Sequence, residues 1–255
     1  MFSAEEIITT DKYRSCFPTL YHKTDFLVSC DGPERTNEVM VSGHSDYGVT
    51  QDMVDHFKPR AWFAVNKMCA DERVQSLPLG ITNNTRESAL HPIYGNVDSM
   101  VQVMQEDVPR AQALLYLNFS IGTYPEERAY VWDLLSDKAW AALGTHEPTL
   151  EGRTRYLRDL KAHAFVACPR GNGVDTHRLW ETLYMGSIPV VRREAGYKDF
   201  EGIFPICFVD EWDQVTEEYL IEQEKKIRSK EWDRHYLTIG YWATVIAAHI
   251  FFPSS

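Results

Sequence analysis

The chain has 255 residues, 44% hydrophobic and 25% charged, without a low-complexity run or an internal repeat; this is the composition of a folded protein with room for two small cores. A net charge of -11 excludes a general nucleic-acid binder, which needs a basic face, but not a site where a few arginines gather on one small anion. The five cysteines (Cys16, Cys30, Cys69, Cys168, Cys207) are odd in number and scattered, with no CxxC or Cys/His ligand spacing, which points to free thiols in a reducing compartment.

In chain order, the start "MFSAEEIITTDKYR" is acidic and polar, unlike a signal peptide. "DFLVSC" (25–30) and "EVMVSG" (38–43) read as buried strands, the second followed by the polar loop "HSDYG". "TQDMVDHF" (50–57) has helical spacing, "AWFAVN" (61–66) reads as a strand, and "VQSLPLGI" (74–81) as a short one ending in a Pro/Gly turn. "DSMVQVMQEDVPRAQ" is helical up to about Val108, where Pro109 interrupts it.

"ALLYLNFS" (113–120) begins a second series: the loop "IGTYPEER", the helix "AYVWDLLSDKAW", a helix over 153–162 and the strand "AFVAC" (164–168). After a charged glycine loop and its helix come the strands "SIPVV" (187–191) and "ICFVD" (206–210), then a charged helix from about 215 to 230. Short apolar runs alternating with helices predict parallel βαβ units. The expected fold is α/β, with an N-terminal half over 1–110, a second half over 111–235 and a cleft between them. The apolar tail "IGYWATVIAAHIFF" (239–252) is too short to span a bilayer. It reads as a terminal helix, within 236–255, packed back on the body; contact with a membrane surface is the alternative.

The chemistry concentrates in "FVACPRGNGVDTHRLWETLYMGSIPVV" (165–191). Pro169 ends the strand, and Gly171 and Gly173 let the backbone approach a ligand closely. Asp175 is the N-cap candidate for the next helix, Gly186 its C-terminal stop, and Pro189 suggests an irregular or rim strand. A helix N-terminus after a glycine loop offers free N–H groups and a positive dipole end to phosphate. Arg170 and Arg178 can flank the same anion, and Glu181, one turn below Arg178, is placed for ribose hydroxyls. The alternative is a surface ion pair of Arg178 with Glu181 beside a solvated Arg170. The motif is neither a Walker loop nor GxGxxG.

"PRGNGVDTHRLWETLYMGSIPVV" resembles the nucleotide-sugar-binding signature of exostosin-like glycosyltransferases. "VSGHSDYGVT…KPRAWFAVN…LPLGITN" (41–83) and "LLYLNFSIGTYPEER" (114–128) resemble the short exostosin-related proteins of bacteria and large DNA viruses. The resemblance implies a GT-B architecture, with two Rossmann-like domains facing a cleft, and an inverting transfer from a nucleotide-sugar to a glycan hydroxyl with no obligatory metal or other cofactor. It implies a donor site built from Arg170, Gly171, Asn172 and Gly173 in the loop, and from Asp175, His177, Arg178 and Glu181 around the helix start. The chain is shorter than the long exostosins and shows no membrane anchor or stem, so a cytoplasmic enzyme is expected, in the host cytoplasm if viral. Uridine is the preferred base, with UDP-xylose or UDP-glucose as candidate donors.

Loops at the carboxyl ends of strands form the crevice of such sheets, so Asn118, Ser120, Thr123 and Arg128 are candidates to face the phosphates or the sugar. An ordinary capped loop is the alternative. In "SGHSDYG", Asp46 and His44 are the candidate bases for the acceptor hydroxyl, with Asp31 in reserve, set against a plain loop-stabilising role. "HSD" lacks a second acidic residue at metal-binding spacing, so no metal is expected. A non-catalytic nucleotide- or glycan-binding module is the other functional class consistent with these residues.

Overall fold

A computed structural model describes residues 2–30 and 38–252. The reserve candidate Asp31 lies outside the described residues.

The first half runs α1 (Thr10–Cys16), β1 (Tyr21–Lys23), β2 (Val39–Gly43), α2 (Gln51–Phe57), β3 (Ala61–Ala64), β4 (Val74–Ser76), α3 (His91–Tyr94) and α4 (Val97–Gln105). Its four strands pair in parallel in sequential order, β1-β2-β3-β4. The second half runs β5 (Leu115–Leu117), α5 (Pro125–Leu135), β6 (Ala141–Leu143), α6 (Leu150–Ala162), β7 (Phe165–Ala167), α7 (His177–Met185), β8 (Ile188–Arg192), β9 (Cys207–Val209) and α8 (Glu217–Arg228). Its parallel sheet has the order β6-β5-β7-β8-β9, and α9 (Ile239–Phe251) ends the chain. The molecule is thus α/β with two parallel sheets.

Four local expectations are corrected. "DFLVSC" is not a strand: Thr24–Phe26 forms a single 3-10 turn, and the strand lies upstream at Tyr21–Lys23. Apolar content misleads there, because Phe26 and Val28 face solvent while Tyr21 is buried beside Val41. Helix α4 ends at Gln105, before the proline acts; Lys161 Nζ on α6 donates to the carbonyls of Val103, Met104 and Glu106 and so closes its C-terminus. Helix α5 starts at Pro125, whose missing N–H costs nothing in a first turn, so "PEER" is helix rather than loop. Pro189 lies in an interior strand. Ile188 N–H faces β7, so Pro189 faces the β9 side, and the β9 ladder begins only at Val190↔Cys207.

Helix α7 reads as a buried element because Leu179 to Met185 are all buried, and Gly186 ends it with φ 82 in the left-handed region. One hydrophobic cluster joins Ile7, Val41 and Phe63 of the first half to Leu157, Trp180 and Trp242 of the remainder. Separate clusters fill the other faces, around Leu115, Phe165 and Trp212 in the second sheet and around Met40, Phe57 and Trp62 in the first. Helix α9 lies against α1; Ile239 N–H also donates to Glu6 O, ahead of α1, and Arg60, just before β3, donates to His249 O. Among the described residues no helix is long and apolar enough to cross a membrane.

Candidate functional site

The strand order places a topological switch point between β5 and β7. The chain leaves β5 toward β6 on one side and returns to β7 on the other, so the loops after β5 and β7 part and leave a crevice at the carboxyl ends. A cleft of about 950 Å³ opens there, walled by these two loops, by the loop before α6, and by the loops after β2 and β4 of the first half.

Two guanidinium groups enter this cleft without enough partners. Arg153 on α6 is 2% exposed; its Nη1 lies 2.7 Å from Glu181 Oε1, while its Nε and Nη2 are buried without a hydrogen bond to any described residue. Arg178 in the first turn of α7 holds Nε and Nη1 buried and, among the described residues, unpaired, its guanidinium 5.8 Å from the Phe119 ring centroid. An unpaired buried polar group costs about 1–3 kcal/mol, more when charged, so an anion accepting from these N–H groups recovers a large desolvation cost.

Glu181 does not pair with Arg178. Its oxygens accept from Arg153 and from Tyr156 OH, at 2.7 and 2.9 Å. Burial alone would raise its pKa, but the Arg153 charge and the hydrogen bonds from Tyr156 and Arg153 outweigh that and hold it below the ordinary carboxylate value. It faces the cleft as an ionised acceptor already holding two donors.

The remaining sequence candidates divide into cleft-facing groups and struts. Arg128 is a strut. Its Nε donates to Arg170 O at 2.7 Å and its Nη1 to Ser120 O at 2.8 Å, tying the two switch-point loops together. Burial, with Arg178 close by, lowers its pKa to about 10. Arg170 turns away from the cleft: it lies 4.5 Å over the Tyr124 ring and donates to the carbonyls of Gly171 and Asn172. The Tyr124 ring and the loop's own carbonyls take its guanidinium, so it folds back on the loop instead of flanking an anion in the cleft. Asp175 is not the N-cap of α7; Thr176 is. The Asp175 carboxylate accepts instead from Thr176 N, Leu79 N and Trp180 Nε1, at 2.8–2.9 Å, and so bolts the two halves together.

Gly171, Asn172 and Gly173 line the cleft. Gly171 N–H donates to Gly173 O, which tightens the loop, and a Cβ on Gly173 would lie 2.7 Å from Asn66 Nδ2. Asn118 and Thr123 face the same space, Asn118 donating to Tyr116 OH. His177 also faces it. Its Nδ1 lies 2.8 Å from Gly80 O, and a carbonyl can only accept, so the proton sits on Nδ1. Nε2 has no partner.

From the first half, Asp46 reaches across the cleft and accepts from Asn172 Nδ2 at 3.3 Å. His44 sits at φ 56 with both ring nitrogens engaged: Nδ1 with Tyr21 OH at 2.5 Å, and Nε2 with Asp11 Oδ1 and Asn83 Nδ2, each at 3.0 Å. Burial lowers its pKa despite the Asp11 carboxylate. Both ring nitrogens are held by partners within the first half, so the ring anchors the loop after β2.

Sequence reasoning missed Arg153, Tyr156 and Asn66. Asn66 Nδ2 donates to Ser45 O and its Oδ1 accepts from Asp175 N, so it joins the loop after β2 to the glycine loop. The available signal for Arg153 was its place on the stripe of α6 that carries Leu157 and Leu160, all three buried. Among the described residues no group of three or more His, Cys, Asp or Glu side chains could hold a metal ion. No protein-family model matches the chain, and no curated protein matches it in sequence.

Proposed function

We propose that this cleft binds the diphosphate of a nucleotide-sugar and that the chain is an inverting glycosyltransferase of GT-B type. The observation that carries the reading is the pair of guanidinium groups, Arg153 and Arg178, with unpaired buried N–H groups at the switch point of a parallel sheet. The start of α7 adds its dipole to the same place. Phosphate sits against Arg178 and Arg153, and the ribose lies toward Glu181 and Tyr156. Uridine diphosphate is the preferred carrier.

In the transfer, the acceptor oxygen attacks the anomeric carbon as the bond from that carbon to the diphosphate oxygen breaks. The hydroxyl proton goes to Asp46, and the negative charge that develops on the leaving diphosphate falls on the two arginines. Asp46 suits this role because it stands on the wall opposite α7, in contact with the glycine loop through Asn172. The glycan acceptor then enters from the first-half side.

Calorimetry with uridine and guanosine diphosphates tests the binding. Arg178→Ala is expected to weaken it by about 1.5–3 kcal/mol, roughly tenfold to a hundredfold. Unchanged affinity removes the assignment. Asp46→Asn is expected to keep donor binding and lose about two to four orders of magnitude in turnover. Binding without turnover in the unaltered chain, across the common nucleotide-sugars and glycan acceptors, selects the non-catalytic module instead.

A further inference from the structure

His177 is the first residue of α7 and stands beside Arg178, which is where the proposed function puts the diphosphate. Its Nδ1–H is held by Gly80 O, so the neutral ring offers the cleft only the bare lone pair of Nε2. A lone pair facing a phosphate oxygen is two acceptors in contact, which is repulsive. A proton on Nε2 reverses this and makes the ring a charged donor with both N–H groups satisfied, one by Gly80 and one by phosphate.

We propose that His177 binds the diphosphate as an imidazolium, taking one proton from solvent onto Nε2 as the nucleotide-sugar enters, and that this added positive charge stands beside the leaving group during transfer. The inference rests on the nucleotide-sugar reading of the same cleft.

The surroundings fit a group that switches on binding. The empty ring is held neutral: burial lowers its pKa, and Arg153 on α6 adds to the lowering. The Gly80 carbonyl, Glu181 on its own helix and Asp46 from the loop after β2 pull the other way. Arg178 stands next in sequence, and Asp175, just before the helix, has both carboxylate oxygens engaged with N–H donors. A diphosphate carries two negative charges into this balance, and that tips it toward the protonated ring. The same proton count requires affinity to fall as pH rises from the pKa of the empty ring to that of the occupied one, by at most about tenfold per pH unit.

The test is calorimetric titration with UDP-glucose and, in parallel, GDP-mannose. Both carry a diphosphate diester without a phosphate group that titrates near neutral pH, so a proton taken up belongs to the protein. At one pH near 7.5, the binding heat is measured in buffers of different ionisation enthalpy, and the slope gives the protons taken up. The expected slope is between half a proton and one for the unaltered chain and zero for His177→Gln, with affinity reduced about tenfold and no longer falling between pH 6.5 and 8.5. A slope of zero in the unaltered chain with binding intact overturns the proposal and leaves the diphosphate site standing. An unchanged slope in His177→Gln also overturns it, by assigning the proton elsewhere. Absence of binding of both nucleotide-sugars to the folded, unaltered chain overturns the nucleotide-sugar reading and this inference with it.

Discussion

Asp175 carries a carboxyl group into the seam between the two halves, and burial pushes its pKa up to about 7, against the N–H groups of Leu79, Trp180 and Thr176. In the unfolded chain an aspartate titrates near 4. Between those two values the folded state holds more protons than the unfolded one, so this group's contribution to stability is full below about pH 4 and is lost as pH rises toward 7. The slope is at most about 1.4 kcal/mol per pH unit. Urea unfolding of the unaltered chain and of Asp175→Asn across pH 4–8 is expected to show the unaltered chain losing stability relative to the variant through that window. A constant difference between the two would remove the titration from Asp175. The same residue marks a limit of reading a sequence: "GVDTHR" identifies a helix start, but not that Leu79, far away in the chain, competes for the carboxylate. Arg178 was legible because glycine loop, helix start and arginine are local. The bond from Arg153 to Glu181 joins two helices that only the tertiary fold brings together.

The strand–glycine loop–helix unit from β7 to α7 depends on Gly173 for a steric reason. A Cβ there would sit 2.7 Å from Nδ2 and 3.0 Å from Oδ1 of Asn66, which can give way only by losing its bonds to Ser45 and Asp175. Gly173→Ala is expected to cost about 1–3 kcal/mol in thermal or urea unfolding and to weaken nucleotide binding, since the loop must shift away from Asn66. Gly240 is the contrast: it lies in α9 with a negative φ and nothing within 4 Å of its Cβ position. Gly240→Ala is expected to leave binding unchanged and to stabilise by up to about 1 kcal/mol, from helix propensity alone. Equal effects from the two substitutions would contradict the steric argument. Elements with a continuous apolar run and a flanking breaker (β3, β7, β8, β9) were legible because buried parallel strands have that composition. The short β6, with "AAL" only partly buried, and α1, within a polar opening, carried no such signal. β1 was displaced by a run that is apolar in composition yet exposed at Phe26 and Val28.

At the scale of the whole molecule, two sheets with separate strand orders are packed on one shared core. The shared cluster runs from Ile7 and Val41 through Trp180 to Trp242, so separating the halves would expose the faces of α7 and α9 to water. Polar bolts cross the same seam. Lys67 Nζ lies 3.1 Å from Asp199 Oδ2, which also accepts from Ser76 N, and Ser76 Oγ donates to Gly196 O at 2.6 Å. Tyr184 OH accepts from Ile8 N and donates to Leu237 O, joining the N-terminal segment, α7 and the approach to α9. A seam that is both apolar and pinned couples the unfolding of its two sides, although chains of this length often unfold in steps. Scanning calorimetry is therefore expected to give one peak with calorimetric and van't Hoff enthalpies equal. Lys67→Met is expected to lower that peak as a unit, costing about 1–3 kcal/mol; a fully buried pair would cost more, but Asp199 retains contact with solvent. Two peaks in the unaltered chain would show that the halves melt separately. A single peak that splits in Lys67→Met would show that the polar bolts, and not the shared core, hold the halves together.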